Sequence, residues 1–109
     1  MVELFRCRAT DGREPFTEWL KSLRSRQAKA IILARLERLA VGNFGDCKPC
    51  REGVKELRIH YGQGYRIYFA QVGQSAILLL SGGDKRTQSA DITEAVERHE
   101  KNPSRGVTP

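Results

Sequence analysis

The first part of the chain changes from a period-two pattern to a helical one. Apolar and polar positions alternate over residues 2–8, which predicts a strand that ends before the turn at Asp11-Gly12. Pro15 suits the first turn of a helix. After it, an apolar stripe with the spacing i, i+3, i+4 and i+7 runs through Phe16, Trp19, Leu20 and Leu23. This stripe predicts a first amphipathic helix whose apolar face is buried.

A second helix is predicted over residues 26–41. Ile32, Leu36 and Leu39 fall on one face of it, and Gly42 stands where helices commonly end in the left-handed conformation. The two helices would form an antiparallel hairpin. Residues 42–53 are rich in Gly, Asn, Asp and Pro, and this composition favours a long loop.

The second half of the chain predicts a sheet followed by a helix. Residues 54–61 and 65–70 alternate apolar and polar side chains around a Gly-Gln-Gly turn, which favours a β-hairpin. Residues 76–80 are apolar throughout, as in an inner strand covered on both faces. Residues 88–100 return to a helical spacing among acidic residues.

Together these elements predict an α+β fold in the order β-α-α-β-β-β-α. The helical hairpin would pack on a largely antiparallel, four-stranded sheet. The chain length fits one domain, which we expect to span residues 1–101 and to be followed by a flexible polar tail at residues 102–109.

The charge of the chain points to a polyanionic partner. There are 19 Lys and Arg against 13 Asp and Glu, a formal charge of +6, and basic side chains that neutralise phosphates release condensed counterions. Nucleic acid is therefore the leading partner and an acidic protein the second. Lys29 and Arg35 belong to a basic run on the second predicted helix and are candidate RNA contacts, although such a run also serves as an ordinary solvated face.

Location and cofactors are constrained by what the sequence lacks. No apolar run approaches the roughly 20 residues of a membrane span, and the N-terminus has no signal-peptide layout. We expect a cytoplasmic location and no membrane partner. The three cysteines are too few for a disulfide framework. Cys47 and Cys50 have redox-like spacing but lie in a predicted loop, and a zinc site would lack ligands, so we expect neither a metal nor a cofactor.

One face of the predicted hairpin gathers the residues that could carry chemistry. Strand pairing turns one set of side chains towards the core: Leu57, Ile59, Ile67 and Phe69. The other face, which we expect to be open to solvent, carries Glu56, Arg58, His60, Arg66 and Tyr68. Lys85 and Arg86 would border this face after a Gly-Gly turn, where a phosphate could approach the backbone closely.

These side chains suit cleavage of RNA without a metal. The reaction needs a base for the 2′-hydroxyl proton, cations that stabilise charge on the phosphorane, and an acid for the departing 5′-oxygen. His60 could act as acid or base, and Tyr68 or Glu56 could assist. The phosphate would be bound by the basic side chains of Arg58, Arg66 and Lys85. The alternative is a solvated sheet face in which Glu56 and Arg58 pair for stability.

Several short motifs, taken together, indicate a family. They are Pro15-Phe16 before Trp19-Leu20, then Gly42-Asn43-Phe44-Gly45-Asp46, Glu56-Leu57-Arg58, Gly64-Tyr65-Arg66-Ile67-Tyr68 and Gly82-Gly83-Asp84-Lys85. With them, residues 1–98 resemble the phage-derived, HigB-like "addiction module killer" toxins of the RelE/ParE superfamily. The resemblance implies a RelE/ParE-like fold and the toxin of a type II toxin–antitoxin pair.

The resemblance also implies partners and a target. A neighbouring antitoxin, often a helix-turn-helix protein, would bind the toxin, and their hetero-oligomer would bind operator DNA and repress the operon. Nuclease members of the family cut mRNA on the ribosome. The resemblance therefore implies an mRNA interferase, an endoribonuclease that inhibits translation with the ribosome and mRNA as partners.

The resemblance assigns roles to individual positions. Arg58, Arg66 and Lys85 match the family's basic places, and Arg86 is a further cation. Ile92 stands where ribosome-dependent nucleases often carry a tyrosine. This departure leaves the general base open among His60, Tyr68 and Lys85.

Two other functions are compatible with the same sequence. A ParE-like toxin would poison DNA gyrase by protein contact, without chemistry of its own. An inactive chain would serve only as antitoxin partner and co-repressor. New RNA ends inside coding regions, DNA damage with intact RNA, or tight antitoxin binding without toxicity would separate the three.

Overall fold

The computed structural model describes residues 1–101, which form an α+β structure. Within this range there are five strands: β1 (Glu3–Arg6), β2 (Cys47–Pro49), β3 (Val54–Ile59), β4 (Tyr65–Gly73) and β5 (Ala76–Asp84). There are three α-helices: α1 (Pro15–Ser22), α2 (Arg26–Ala40) and α3 (Gln88–Lys101). A 3₁₀ turn at Lys85–Thr87 connects β5 to α3. The predicted tail at residues 102–109 lies outside the described residues.

The strands form one mixed sheet in the order β1-β5-β4-β3-β2. β1 pairs with β5 in parallel, and the other neighbours are antiparallel. The prediction of four strands was wrong because β2 lies inside the segment expected to be a long loop. Its Cys47 and Pro49 pair with Leu57 and Lys55 of β3 at the edge of the sheet. Proline is tolerated at such an edge, since its missing N–H costs no ladder hydrogen bond there.

The helix boundaries follow local signals that were visible in the sequence. Pro15 opens α1, and the hydroxyl of Ser25 accepts a hydrogen bond from the Ala28 N–H at the start of α2. Gly42 follows α2 with a φ of 88°, and its N–H reaches the Leu39 carbonyl. The expected order of these helices and of the β3–β4 hairpin is confirmed.

Helices cover both faces of the sheet. On one face, α1 and α2 bury a core built on Phe16, Ile32, Leu36, Leu57, Ile67 and Phe69. On the other face, α3 packs Ala95 and Val96 against Tyr68, Ala70, Leu78 and Leu80. The odd and even residues of β5 therefore enter different cores, which confirms the inner strand predicted from its apolar run. The face expected to be open to solvent is in large part covered by α3.

Gly82 and Gly83 lie inside β5, so the predicted Gly-Gly turn was wrong. They pair with Ile67 and Arg66 of β4. A β-carbon on Gly82 would overlap the indole ring of Trp19, and one on Gly83 would overlap the carboxylate of Asp91. These glycines are required by close packing from both faces, which leaves no room for a phosphate to approach their backbone.

Along residues 1–101, none of the helices combines the length and the apolar character needed to cross a bilayer.

Candidate functional site

The turn of the β3–β4 hairpin forms one wall of an open groove of about 470 Å³. Residues 58–66 and Lys85 line it, and we call it the hairpin groove. The groove brings together four of the residues predicted to act on RNA: Arg58, His60, Arg66 and Lys85. Three of them are cations at neutral pH and the fourth can become one, so the groove is suited to a phosphate group.

Two arginines face each other directly across the hairpin. Arg58 of β3 is the register partner of Arg66 of β4, and like charges in this position repel. Glu56, two residues before Arg58, compensates for this repulsion. Its Oε1 accepts a hydrogen bond of 3.0 Å from Arg58 Nε, and its Oε2 lies 3.3 Å from Arg66 Nε. One carboxylate thus holds two guanidinium groups beside the groove.

Glu56 is ionised although its side chain is almost completely buried. Burial by itself would raise the pKa of this carboxyl, but the hydrogen bonds from Arg58 and Gln88 and the charge of Arg66 outweigh it and hold the pKa below its usual value. The Gln88 amide donates to Oε2 at 2.6 Å. Gln88 had not been predicted as part of the site. Its position in the first turn of α3 is the one feature of the sequence that could have indicated this role.

Tyr68 lies beneath α3, and the expectation that it projects into solvent was wrong. Its side chain is 0% exposed, because α3 covers the face on which the period-two pattern places it. Its hydroxyl donates to Glu56 Oε2 at 3.4 Å. Burial and the neighbouring charge of Glu56 raise the pKa of this phenol. Tyr68 therefore contacts the groove only indirectly, through its hydrogen bond to the Glu56 carboxylate, and does not line it.

Arg66 is the most enclosed cation of the groove. Only 8% of the residue is exposed, and its Nη1 donates to the Gly64 carbonyl at 3.0 Å. Gly64 has a φ of 78°, a conformation that glycine adopts without strain. The hairpin turn thus holds the Arg66 side chain in a fixed orientation beside the groove.

His60 lies at the mouth of the groove, just after the end of β3. Its side chain is 74% exposed, and its Nε2 contacts Oδ2 of Asp46. This contact, together with the charges of Arg58 and Arg35, holds the pKa of the Asp46 carboxyl below its usual value. Asp46 was not among the predicted site residues, since it precedes β2 and is 14 residues away in the sequence.

Lys85 and Arg86 separate at the 3₁₀ turn. Lys85 is exposed and lines the hairpin groove. Arg86 turns away from it: the guanidinium binds Asp84 at 3.0 Å and the side-chain carbonyl of Gln63 at 3.2 Å. Asp84 also caps the turn by accepting from the Arg86 N–H. The contacts of Arg86 thus stabilise the turn that places Lys85 at the groove.

The two candidate RNA contacts on α2 do not line the groove. Arg35 donates from Nη1 to the Arg58 carbonyl at 2.8 Å and from Nη2 to the Phe44 carbonyl at 3.4 Å. It therefore clamps α2 and the segment before β2 onto β3, and its partial burial lowers the pKa of its guanidinium. Lys29 is half-buried on α2 and is not part of the groove lining.

A smaller cavity of about 240 Å³ lies on the other side of Arg58. Ile92, Gln88 and Glu56 contribute to its lining. Ile92 thus lies close to the groove without a group that can exchange protons. Within the described part of the chain, the groove lining offers such groups on the exposed His60 and Lys85 and on the half-buried Tyr61.

Cys47 and Cys50 lie on opposite faces of the sheet. Cys47 packs against the core under α1 and α2, whereas Cys50 packs against the core under α3. Burial raises the pKa of both thiols, the opposite of what a reactive thiolate needs. Within residues 1–101, no three His, Cys, Asp or Glu side chains lie close enough together to hold a metal ion.

Comparison with known proteins assigns the family. The sequence model of the Gp49-like, phage-derived proteins (DUF891) matches residues 18–102. The chain belongs to this family, which is associated with the toxins of toxin–antitoxin systems. An uncharacterized protein of Haemophilus influenzae is 50% identical over 80 residues, which cover 73% of this chain and 81% of that protein.

Proposed function

We propose that the chain is the toxin of a type II toxin–antitoxin system and acts as a metal-independent endoribonuclease on translated mRNA. The single observation that carries the proposal is the hairpin groove, in which an accessible imidazole, two guanidinium groups and an ammonium group converge. Family membership supports the toxin role. The convergence supports chemistry, because a protein that acts by contact alone has no need of a proton-transfer group among oriented cations.

The reaction we propose begins at His60. The neutral imidazole takes the proton of a ribose 2′-hydroxyl, and the oxygen attacks the adjacent phosphorus. The bond from phosphorus to the 5′-oxygen then breaks, which leaves a 2′,3′-cyclic phosphate and a free 5′-hydroxyl. The ammonium group of Lys85 supplies the proton to the departing 5′-oxygen. Each such proton transfer is worth about 10²- to 10⁴-fold in rate.

Arg58 and Arg66 would stabilise the charge that develops on the phosphorane. Their guanidinium groups are pre-oriented by Glu56 and by the Gly64 carbonyl, so little reorganisation is needed during the reaction. Arg58 is the more accessible of the two and would meet the substrate first. In this proposal Tyr68 acts only through Glu56, and Arg35 acts only by fixing the backbone of β3.

The proposed partners follow from the charge and the family. An antitoxin, of the helix-turn-helix type in the resemblance above, would bind the toxin and form a hetero-oligomer on operator DNA. On the ribosome, the net charge of +6 would favour docking against ribosomal RNA. The exposed basic residues Arg24, Arg26 and Arg38, outside the groove lining, would serve this docking rather than the chemistry.

Induction in growing cells tests the proposal. Mapping of 5′ ends after induction should reveal new ends inside coding regions, carrying hydroxyl groups. His60→Ala and Lys85→Ala should abolish these ends, because both groups are exposed and can be removed without disturbing the core. Lys101→Ala, at the exposed end of α3, is the matched control and should cut like the wild type.

Other outcomes of the same induction would reject the endoribonuclease. Intact transcripts together with double-strand DNA breaks and filamentation would identify a gyrase poison. Normal growth together with tight antitoxin binding would identify an inactive co-repressor.

A further inference from the structure

The contact between His60 and Asp46 determines which ring nitrogen of the histidine carries its proton. A carboxylate can only accept hydrogen bonds, so a neutral imidazole that binds it through Nε2 must be protonated there. The other nitrogen, Nδ1, then keeps its lone pair. Only a nitrogen with a free lone pair can remove a proton from a substrate hydroxyl.

The backbone fixes Asp46 beside His60 independently of the two side chains. Its carbonyl accepts a hydrogen bond of 2.9 Å from the Arg58 N–H, which extends the β2–β3 pairing by one position. The Arg35 clamp holds the same segment from the helix side. Gly45 permits this clamp, since a β-carbon there would come within 2.7 Å of Arg35 Nη2. The backbone at Asp46 is thus held beside His60 by contacts that a substitution of the Asp46 side chain leaves in place.

We propose that Asp46 is a positioning residue, which holds His60 in the tautomer protonated at Nε2 and so presents Nδ1 to the substrate. The consequence for catalysis rests on the proposed function; the tautomer itself does not. At neutral pH the Asp46 carboxyl is ionised, because the contact with His60 and the charges of Arg58 and Arg35 lower its pKa. Arg66 and Lys85 contribute further positive charge on the groove side.

Nuclear magnetic resonance of the ¹⁵N-labelled full-length chain tests the tautomer directly. The sequence contains two histidines, His60 and His99, so the ring signals are assigned with one variant, His99→Gln. At about pH 8.5, above the usual titration range of histidine, His60 should give the shifts of a single tautomer protonated at Nε2. Asp46→Ala, which leaves no side-chain acceptor for the Nε2–H, should move both ring nitrogens of His60 towards the averaged values of a tautomer mixture, while those of His99 stay unchanged.

Cleavage of mRNA on ribosomes tests the consequence. Asp46→Asn should lower kcat by about 10- to 100-fold, the range found when the partner that orients a metal-bound histidine is lost, and leave KM unchanged. Asp46→Ala should behave in the same way. Asp11→Asn, which removes an exposed carboxylate at the turn after β1, is the matched control and should keep the wild-type kcat.

The outcomes separate this inference from the proposed function. An Nδ1-protonated His60 in the wild type, or an unchanged tautomer in Asp46→Ala, overturns the pairing. A shifted tautomer with an unchanged kcat overturns the positioning role. Absence of cleavage by the wild-type chain rejects the nuclease, whereas the resonance measurement still decides the tautomer.

Discussion

At the residue scale, Gly82 and Gly83 are set by contacts rather than by backbone conformation. Neither has a positive φ, but side chains from α1 and α3 press against them from opposite faces of β5. A glycine pair at the end of an apolar run commonly marks a turn. Here the pair marks a point where side chains of two helices approach the sheet closely, and the strand continues through it.

We predict that Gly82→Ala lowers the free energy of unfolding by about 1–3 kcal/mol, since the new methyl group would overlap the Trp19 ring. Urea unfolding at a constant m-value measures the change. Gly73→Ala on β4 is the matched control. Its β-carbon would meet Ala76 at 3.6 Å, an ordinary contact, and the variant should unfold like the wild type.

Glu56 should make stability depend on pH. Its pKa in the folded chain is lowered, so its contribution to folding stability is complete above the unfolded value of about 4.3. This contribution is lost as the pH falls through the folded value. As the pH falls through this range, Glu56→Gln should lose less stability than the wild type. At pH 7 the variant should be less stable than the wild type, because the enclosed Arg66 guanidinium loses its counter-charge.

Urea midpoints from pH 7 down to pH 3 measure both effects. Glu52→Gln, at an exposed position before β3, controls for the removal of one carboxylate. A wild-type curve that runs parallel to that of Glu56→Gln would contradict the assignment.

At the element scale, the hairpin groove depends on α2 although no residue of α2 lines it. Arg35 joins α2 to the β3 backbone and to the segment that carries Asp46. Helix and hairpin are therefore coupled through one side chain. A residue that belongs to a basic run in the sequence acts here as a structural cross-link between elements.

We predict that Arg35→Ala lowers the free energy of unfolding by about 1.5–3 kcal/mol, the usual range for a hydrogen bond to a charged group. It should also weaken RNA cleavage, because the segment before β2 loses its anchor. Arg38→Ala, one turn further along α2 and exposed, should change stability by no more than about 0.5 kcal/mol. Chemical denaturation and single-turnover cleavage, measured on the same samples, check both expectations.

At the scale of the whole molecule, the net positive charge acts over longer distances than the contacts within the groove. In the proposed function, the excess of basic residues would attract RNA from many sides of the surface, whereas the groove would engage one phosphate group. Long-range attraction is screened by salt, and the number of phosphates neutralised sets how steeply affinity falls as salt rises.

We predict that Lys85→Ala reduces the slope of log affinity against log salt by about 1, measured on a short RNA whose 2′-O-methyl riboses prevent cleavage. Lys101→Ala at the far end of α3 should leave the slope unchanged. An unchanged slope for Lys85→Ala would place the bound phosphate outside the groove.

Much of this architecture was visible in local patterns. The periodicities located β1, the three helices and the β3–β4 hairpin, because each is set by neighbours within a few residues. β2 was not predicted, because a short edge strand that contains proline has the composition of a loop. The alternation of apolar and polar residues correctly placed Glu56 and Tyr68 on one face of the hairpin. It did not predict that a helix covers this face, since alternation does not tell which helix packs on a face.

The sequence by itself determined the order of the elements, the basic charge and the presence of Arg58, His60 and Arg66 on one side of a hairpin. Only the tertiary structure decided that α3 buries Tyr68, that Glu56 holds both arginines, and that Asp46 meets His60. The physical reason is distance along the chain: propensities and periodicity act between near neighbours, whereas these contacts join residues that only the folded sheet brings together.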